Sequence, residues 1–266
     1  MGKKTDCDIQ TFSQELPVSS LITSGRPIAA LQQLFDLMGI VHDGTMASIV
    51  AATQTWLRKT PERWQIQPQV FEKQKEAFEL LAQIGCLEAA TPAHKVYDYA
   101  LVLGGPEPRA RRRMQYLIEL WEKGVRVKKV VLLTGDRPLD PILEHFKPPI
   151  VNETEMMQFL YAHTPMPESL KALPWIVVDT PKGTKSRPNT ADTAIEWLKS
   201  SPTPGSCLVI SCQPFIGYQD AVLKTQLPKI FSVETVGPEA PKDTLLEMCL
   251  DNLARWIYTE AGLGGH

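Results

Sequence analysis

The segment Tyr97 to Arg113 runs Tyr-Asp-Tyr-Ala-Leu-Val-Leu-Gly-Gly-Pro-Glu-Pro-Arg-Ala-Arg-Arg-Arg, so an apolar run ends in two glycines and is followed by four arginines. Gly104 and Gly105 permit backbone conformations and close approaches that other residues forbid. Arg109, Arg111, Arg112 and Arg113 carry planar donor forks that match phosphate or carboxylate. After a buried strand and at the entrance to a helix, such residues suit the reception of an anion. Gly-Gly-Pro is not the Gly-x-Gly-x-x-Gly dinucleotide pattern, so the segment predicts an anion site without naming a dinucleotide. The plainer alternative is a strand-to-helix turn followed by a solvated basic helix face.

Other segments carry chemistry of the same kind. Asn152-Glu153-Thr154-Glu155 opens a helix, and Glu153 is the candidate catalytic residue, as an acceptor for a ligand hydroxyl or as a general base. Its alternative role is to cap that helix, where a carboxylate complements the macrodipole. The loop Thr180 to Thr190 sets Lys182, Lys185 and Arg187 beside the N–H groups of a helix that begins near Asn189 and Thr190, an arrangement suited to phosphate. Gly183-Thr184-Lys185-Ser186 lacks the spacing of a P-loop, which argues against a nucleoside triphosphatase. In Thr134-Gly135-Asp136-Arg137, Asp136 is placed to accept from ribose hydroxyls or, alternatively, to pair with Arg137 at the surface. Ser211 ends an apolar run beside Cys212, but no partner base is identifiable. His42, His94, His145 and His163 are scattered without ligand spacing, so no metal site is expected, and the residues specify no cofactor.

These groups need a frame, and the apolar pattern supplies one. Ile28 to Met38, Met46 to Leu57 and Val70 to Ile84 recur at three- and four-residue spacing and predict three helices, with Pro27 in the first turn of the first. From Tyr97 the pattern changes to compact apolar runs at 97–103, 129–134, 174–179, 206–211 and 230–236. Each is followed by a helix, at 109–123, 153–162, 189–200, 215–226 and 243–260. The expected fold is α/β, a Rossmann-like three-layer sandwich with a mostly parallel five-stranded sheet preceded by an N-terminal helical region. The expected division is 1–95 for the helical region, packed on the core, and 96–266 for the α/β domain. Ligands of such sheets sit at the carboxyl ends of the strands. Gly104, Gly105, Arg109, Arg111, Gly135, Asp136, Asn189, Thr190 and Ser211 are therefore the candidate ligand-binding residues, and the strand ends at Gly104, Thr134, Asp179 and Ser211 are expected to enclose one cleft.

The 266 residues are 43% hydrophobic and 22% charged with a formal net charge of −2, which describes a globular chain and excludes a broad basic surface for nucleic acid. The expected partner is a small anionic or phosphorylated ligand. Cys7, Cys86, Cys207, Cys212 and Cys249 are odd in number and set mostly in apolar surroundings, which predicts free thiols and a reducing, cytoplasmic compartment. No run is long enough for a membrane span, and the N-terminus lacks the apolar core of a secretory signal.

Over roughly residues 97–260 the order of motifs resembles the DUF218 family of SanA/YdcF-like α/β proteins. The matching pieces are Tyr-Ala-Leu-Val-Leu-Gly-Gly with a following arginine, Val-Val-Leu-Leu-Thr-Gly, Asn-Glu-Thr-Glu-Met-Met and Arg-Pro-Asn-Thr-Ala-Asp-Thr-Ala. The resemblance implies a Rossmann-like fold and brings Arg109 or a neighbouring arginine, Glu153, Asn189 and Thr190 into the site. The family's activity is poorly defined, so the resemblance implies a site more readily than a reaction. Two readings follow: an enzyme, a transferase or hydrolase, acting on a phosphorylated or nucleotide-like small molecule, or a non-catalytic ligand-binding or protein-interaction module that has lost the family's His/Arg chemistry. The chain departs from the pattern where Phe215 occupies the family's histidine position, Tyr218 its arginine position and Thr193 an asparagine position.

Overall fold

The computed structural model describes residues 20–60, 65–147, 149–183 and 187–263. Cys7 and Lys185 lie outside them. The chain enters through a hairpin of two-residue strands, β1 (Ile22–Thr23) and β2 (Arg26–Pro27), and then forms α1 (Ala29–Leu37), α2 (Met46–Thr53) with a short 3-10 turn at Gln54–Trp56, and α3 (Gln74–Ile84). Three helices were expected here. Pro27, however, pairs in the hairpin instead of opening α1, and Val70 is fully exposed ahead of α3.

The strand-helix alternation that follows is β3 (Val96–Leu103), α4 (Glu107–Glu122), β4 (Arg126–Gly135), α5 (Glu153–His163), the single turn α6 (Glu168–Lys171), β5 (Trp175–Thr180), α7 (Thr190–Leu198), β6 (Ser206–Ile210), α8 (Ile216–Gln226), β7 (Ser232–Val236) and α9 (Leu246–Tyr258). The five strands pair in the order β5-β4-β3-β6-β7, all parallel. Winding therefore reverses between β3 and β6, and it is there that a parallel sheet opens a crevice at its carboxyl edge.

Alternation along the strands builds two cores. Ala100, Val102, Val130, Leu132, Leu208 and Ile210 face α4 and α5, where Met114, Leu117, Met156 and Leu160 cover them. Leu101, Leu103, Val131, Leu133 and Val209 face α7 and α8, against Ala194, Trp197 and Leu223. The fold is thus a three-layer, Rossmann-like α/β sandwich. A third core joins the N-terminal helices to the C-terminal one, with Leu31, Leu34, Phe35, Ile49, Leu81 and Ile84 packed around Leu246, Leu250, Leu253 and Ile257 of α9. Among the described residues no helix is long and apolar enough to cross a membrane.

Helices α8 and α9 meet at Gly217, where a Cβ atom would stand 2.2 Å from the Trp256 ring. Gly217→Ala gains up to about 1 kcal/mol of helix propensity but overpacks the contact at a cost of about 1–3 kcal/mol. The variant should therefore unfold at lower urea concentration than the native chain; a raised midpoint would show that α8 and α9 are not held this closely.

Cys86, Cys207, Cys212 and Cys249 are buried and unpaired. Burial pushes the Cys86 thiol up to about 12, and burial together with the charge of Asp98 pushes Cys207 up to about 12. All four lie out of a reagent's reach, and the thiolate is the reacting form that burial disfavours at Cys86 and Cys207, so at pH 8 none of the four should be modified rapidly by an aromatic disulfide reagent in the folded protein. All four should react in denaturant. Rapid labelling of any of them in the native state would contradict this packing.

Candidate functional site

At the end of β3 the Gly104 N–H donates to Leu133 O at 2.8 Å, locking the turn to the end of β4. A Cβ on Gly104 would stand 2.2 Å from Glu153 Oε1 and 2.9 Å from Leu133 O, so only glycine lets the Glu153 carboxylate rest on this turn. Gly105 follows with φ of +149°, a backbone conformation that L side chains rarely adopt, and Pro106 then leads into α4. The sequence folds this way locally because an apolar strand is cut by two glycines and a proline fixes the entry to the helix.

Helix α4 sorts the four arginines by its period. Arg109 and Arg113, one turn apart, line the cleft. Arg109 lies over the Phe215 ring at 4.3 Å. Arg111 points away and pairs with Glu107 at 2.6 Å with half its side chain exposed, while Arg112 donates to Glu239 O at 2.7 Å. Arg113 is 3% exposed. It donates to Leu103 O at 2.9 Å, to Gly104 O and to Gln219 Oε1 at 3.4 Å, and its Nε has no hydrogen-bond partner. Among the described residues, each oxygen that accepts a hydrogen bond from this buried guanidinium is neutral.

Glu153 is held from behind. Its Oε2 accepts from Arg137 Nε at 2.9 Å and its Oε1 from the Gly135 N–H at 3.3 Å. Arg137 also forks onto Glu144, at 2.7 and 2.8 Å, and Glu144 accepts from the N–H groups of Glu107 and Asp140. Burial alone would lower the Arg137 guanidinium, but hydrogen bonds and charge from Glu144 and Glu153 outweigh it and hold it above its ordinary value. A surface pair between Asp136 and Arg137 is therefore not what forms. Arg137 is buried, and Asp136 is exposed outside the cleft.

The opposite wall comes from α7 and α8. Asn189 caps α7, accepting from Ala191 N at 2.8 Å and Asp192 N at 3.1 Å while Asp192 accepts from Asn189 N, so its side-chain oxygen is committed to the cap although the residue lines the cleft. Thr190 Oγ1 accepts from Gln219 Nε2 at 3.4 Å, and Gln219 Oε1 accepts from Ser211. Ser211 itself is fully buried and stands behind Gln219, outside the lining.

From farther off in the sequence come Arg58, just after the 3-10 turn, and Arg255 on α9, both donating to the fully buried Asp251. Burial would lower the Arg255 guanidinium, but Asp251 and then Tyr218 raise it above its ordinary value.

These parts enclose a cleft of about 370 Å³, at the small end of the range for ligand pockets. Of the expected site residues, Gly104, Gly105, Arg109, Gly135, Glu153, Asn189 and Thr190 border it, and Arg111, Asp136 and Ser211 do not. Arg187 borders it, whereas Lys182 is exposed elsewhere, and Thr134 and Asp179 are engaged with Thr154 outside it. The sequence reading favoured Arg109 and Arg111; the four-residue spacing of Arg109 and Arg113 was the signal for the pair that shares a face. Nothing local marks Arg58 or Arg255.

Comparison of the chain with protein-family models, curated proteins and solved structures gave no match. The site is therefore read from its own geometry.

Removing Arg137 would leave Glu144 and Glu153 buried without their cation. Arg137→Met should lose about 3–5 kcal/mol of folding stability, while Arg111→Ala, on the solvated face of α4, should stay within about 0.5 kcal/mol of the native chain. Equal effects in urea melts would refute the distinction.

Proposed function

We propose that this chain, as a DUF218-like protein, binds or acts on a phosphorylated or nucleotide-like small molecule at the carboxyl ends of the sheet strands. The observation that carries the reading is Arg113, a buried guanidinium whose acceptors are all neutral and whose Nε is unbonded. A buried guanidinium bonded only to neutral acceptors is costly, and an anion entering beside it reduces that cost. Arg58, Arg109, Arg187 and Arg255 border the same cleft, with Glu153 the one carboxylate among its described lining residues. Arg109 and Arg113 hold the anion, and Glu153 accepts from a ligand hydroxyl or serves as the base of a transfer or hydrolysis. The cation missing at Tyr218 has a substitute in Arg255, which reaches the cleft from α9. Buried thiols accord with a reducing, cytoplasmic setting.

A second reading, a binding module without turnover, is favoured by one feature. Phe215 stands where the family pattern has histidine, and no histidine borders the cleft among its described lining residues.

Titration calorimetry against nucleotides, sugar phosphates and polyprenyl-phosphate analogues tests the proposal. Binding should weaken as ionic strength rises, and Arg109→Ala or Arg113→Met should each cost about 1.5–3 kcal/mol of affinity. Turnover that disappears in Glu153→Gln while binding persists would establish the enzyme, and binding without turnover in the native chain would establish the module. A hit displaced equally well by uncharged analogues, or indifferent to the arginine variants, would overturn both.

A further inference from the structure

Three side chains that line the cleft, Glu153, Arg113 and Thr190, are fixed against one another through two shared contacts. The first is the Gly104-Gly105 turn. Glu153 Oε1 crowds the place that a Cβ on Gly104 would take, while Arg113 donates to Gly104 O and its Nη1 lies 3.4 Å from the place of a Cβ on Gly105. The acid and the guanidinium thus meet on adjoining residues, with no side chain of the turn between them. The second contact is the Gln219 amide. Arg113 has only donors, so the amide oxygen must face it, at 3.4 Å, and Gln219 Nε2 then donates to Thr190 Oγ1 at 3.4 Å. The buried Ser211 hydroxyl donates to the same oxygen and holds the amide in that sense. Because the Thr190 oxygen accepts, its proton is the part offered to a ligand.

The corner therefore presents two kinds of group. Arg113 Nε, which has no hydrogen-bond partner, and the Thr190 hydroxyl give protons to a ligand. Glu153 receives one. Its oxygens accept from Arg137 Nε and from the Gly135 N–H, and a carboxylate has about four lone-pair sites, so accepting capacity remains. A fully ionised oxyanion seated on the donors would set an oxygen against this carboxylate with no proton between them, and opposed like charges are a means of rejecting a wrong ligand. A phosphoryl group that keeps one proton meets the carboxylate with a hydrogen bond instead.

Resting on the anion-binding reading above, we infer that Glu153 makes the cleft selective for a protonated phosphoryl group, with Arg113 and Thr190 donating to its ionised oxygens and Glu153 accepting from its P–OH. The substrate class is then inorganic phosphate or a terminal phosphate monoester taken as its monoanion. Sulfate, sulfate esters and phosphodiesters have no proton to give and are excluded.

The probes are orthophosphate and sulfate, titrated calorimetrically into the full chain at neutral pH and matched ionic strength. The two ions are alike in shape, and orthophosphate keeps a proton that sulfate lacks. Orthophosphate should bind roughly tenfold or more tightly than sulfate. Glu153→Gln, which removes the charge and offers sulfate a donor, should raise sulfate affinity and abolish the preference. Thr190→Val and Arg113→Met should each weaken both ions, by roughly tenfold or more, without changing their ratio. Because Glu153→Gln also alters the Arg137 network, Glu153→Asp serves as a second variant: it keeps the charge, withdraws it from the turn, and should narrow the preference in a chain whose urea melt remains cooperative. Equal affinity of the native chain for the two ions, tighter binding of sulfate, or a preference that survives both Glu153 variants would overturn this inference and leave the anion site standing. Binding of other phosphorylated compounds but not of orthophosphate would overturn it likewise. Failure of orthophosphate and of every phosphorylated compound to bind would instead overturn the proposed function.

Discussion

The buried guanidinium of Arg137 is the contact on which the candidate site depends. It leaves the end of β4, reaches Glu153 at the start of α5 and Glu144 in the loop between them, and through Glu144 ties down the first N–H of α4. Three segments that meet only at the carboxyl edge of the sheet are thereby set against one another. Desolvating three ionised groups consumes most of what their attraction returns, so such a network is a poor source of net stability. Its effect is geometric. With both Glu153 oxygens engaged from the β4 side, the carboxylate can rest only on Gly104, and the glycine turn, the acid and the entrance of α4 form one rigid corner.

Across that corner the balance of charge is reversed. Arg137 meets two carboxylates, whereas Arg113, equally buried, meets carbonyl and amide oxygens alone. Two arginines in one small region are thus handled in opposite ways, one pinned between carboxylates and the other bonded to neutral oxygens. The cost of keeping Arg113 so is borne by the packing of α4 on the sheet, where Ala110, Met114, Leu117 and Trp121 bury the rest of the helix.

The sheet was legible in the sequence because parallel strands covered on both faces are continuous apolar runs, and the five runs from Tyr97 onward match the five strands to within a few residues. The glycine turn was legible for an equally local reason. Arg111 was not: two residues from Arg109 or Arg113 on a helix, it faces away from both and finds Glu107 instead. Asp136 and Ser211 follow strands as expected, yet one side chain faces solvent and the other lies beneath Gln219, because the side of the rim that a residue faces depends on how the loops fold back. Asp251 and Arg255 have the spacing of an ordinary surface pair on a helix, and nothing in that spacing announces that Arg58, from the other end of the chain, joins the buried carboxylate.

That arrival follows from hydrophobic burial. Helix α9 carries Leu246, Leu250, Leu253 and Ile257 on the face that accepts the N-terminal helices, and Asp251 and Arg255 one position or two away from them. Covering the apolar face seats α2 and the turn after it, and so brings Arg58 within 3.2 Å of Asp251. The reverse dependence holds as well, since an uncovered α9 would leave Asp251 with Arg255 as its remaining described cation. The packing of the first helices on the last and the completion of the cleft's outer margin are consequently a single structural event, driven by apolar area and registered by one buried carboxylate.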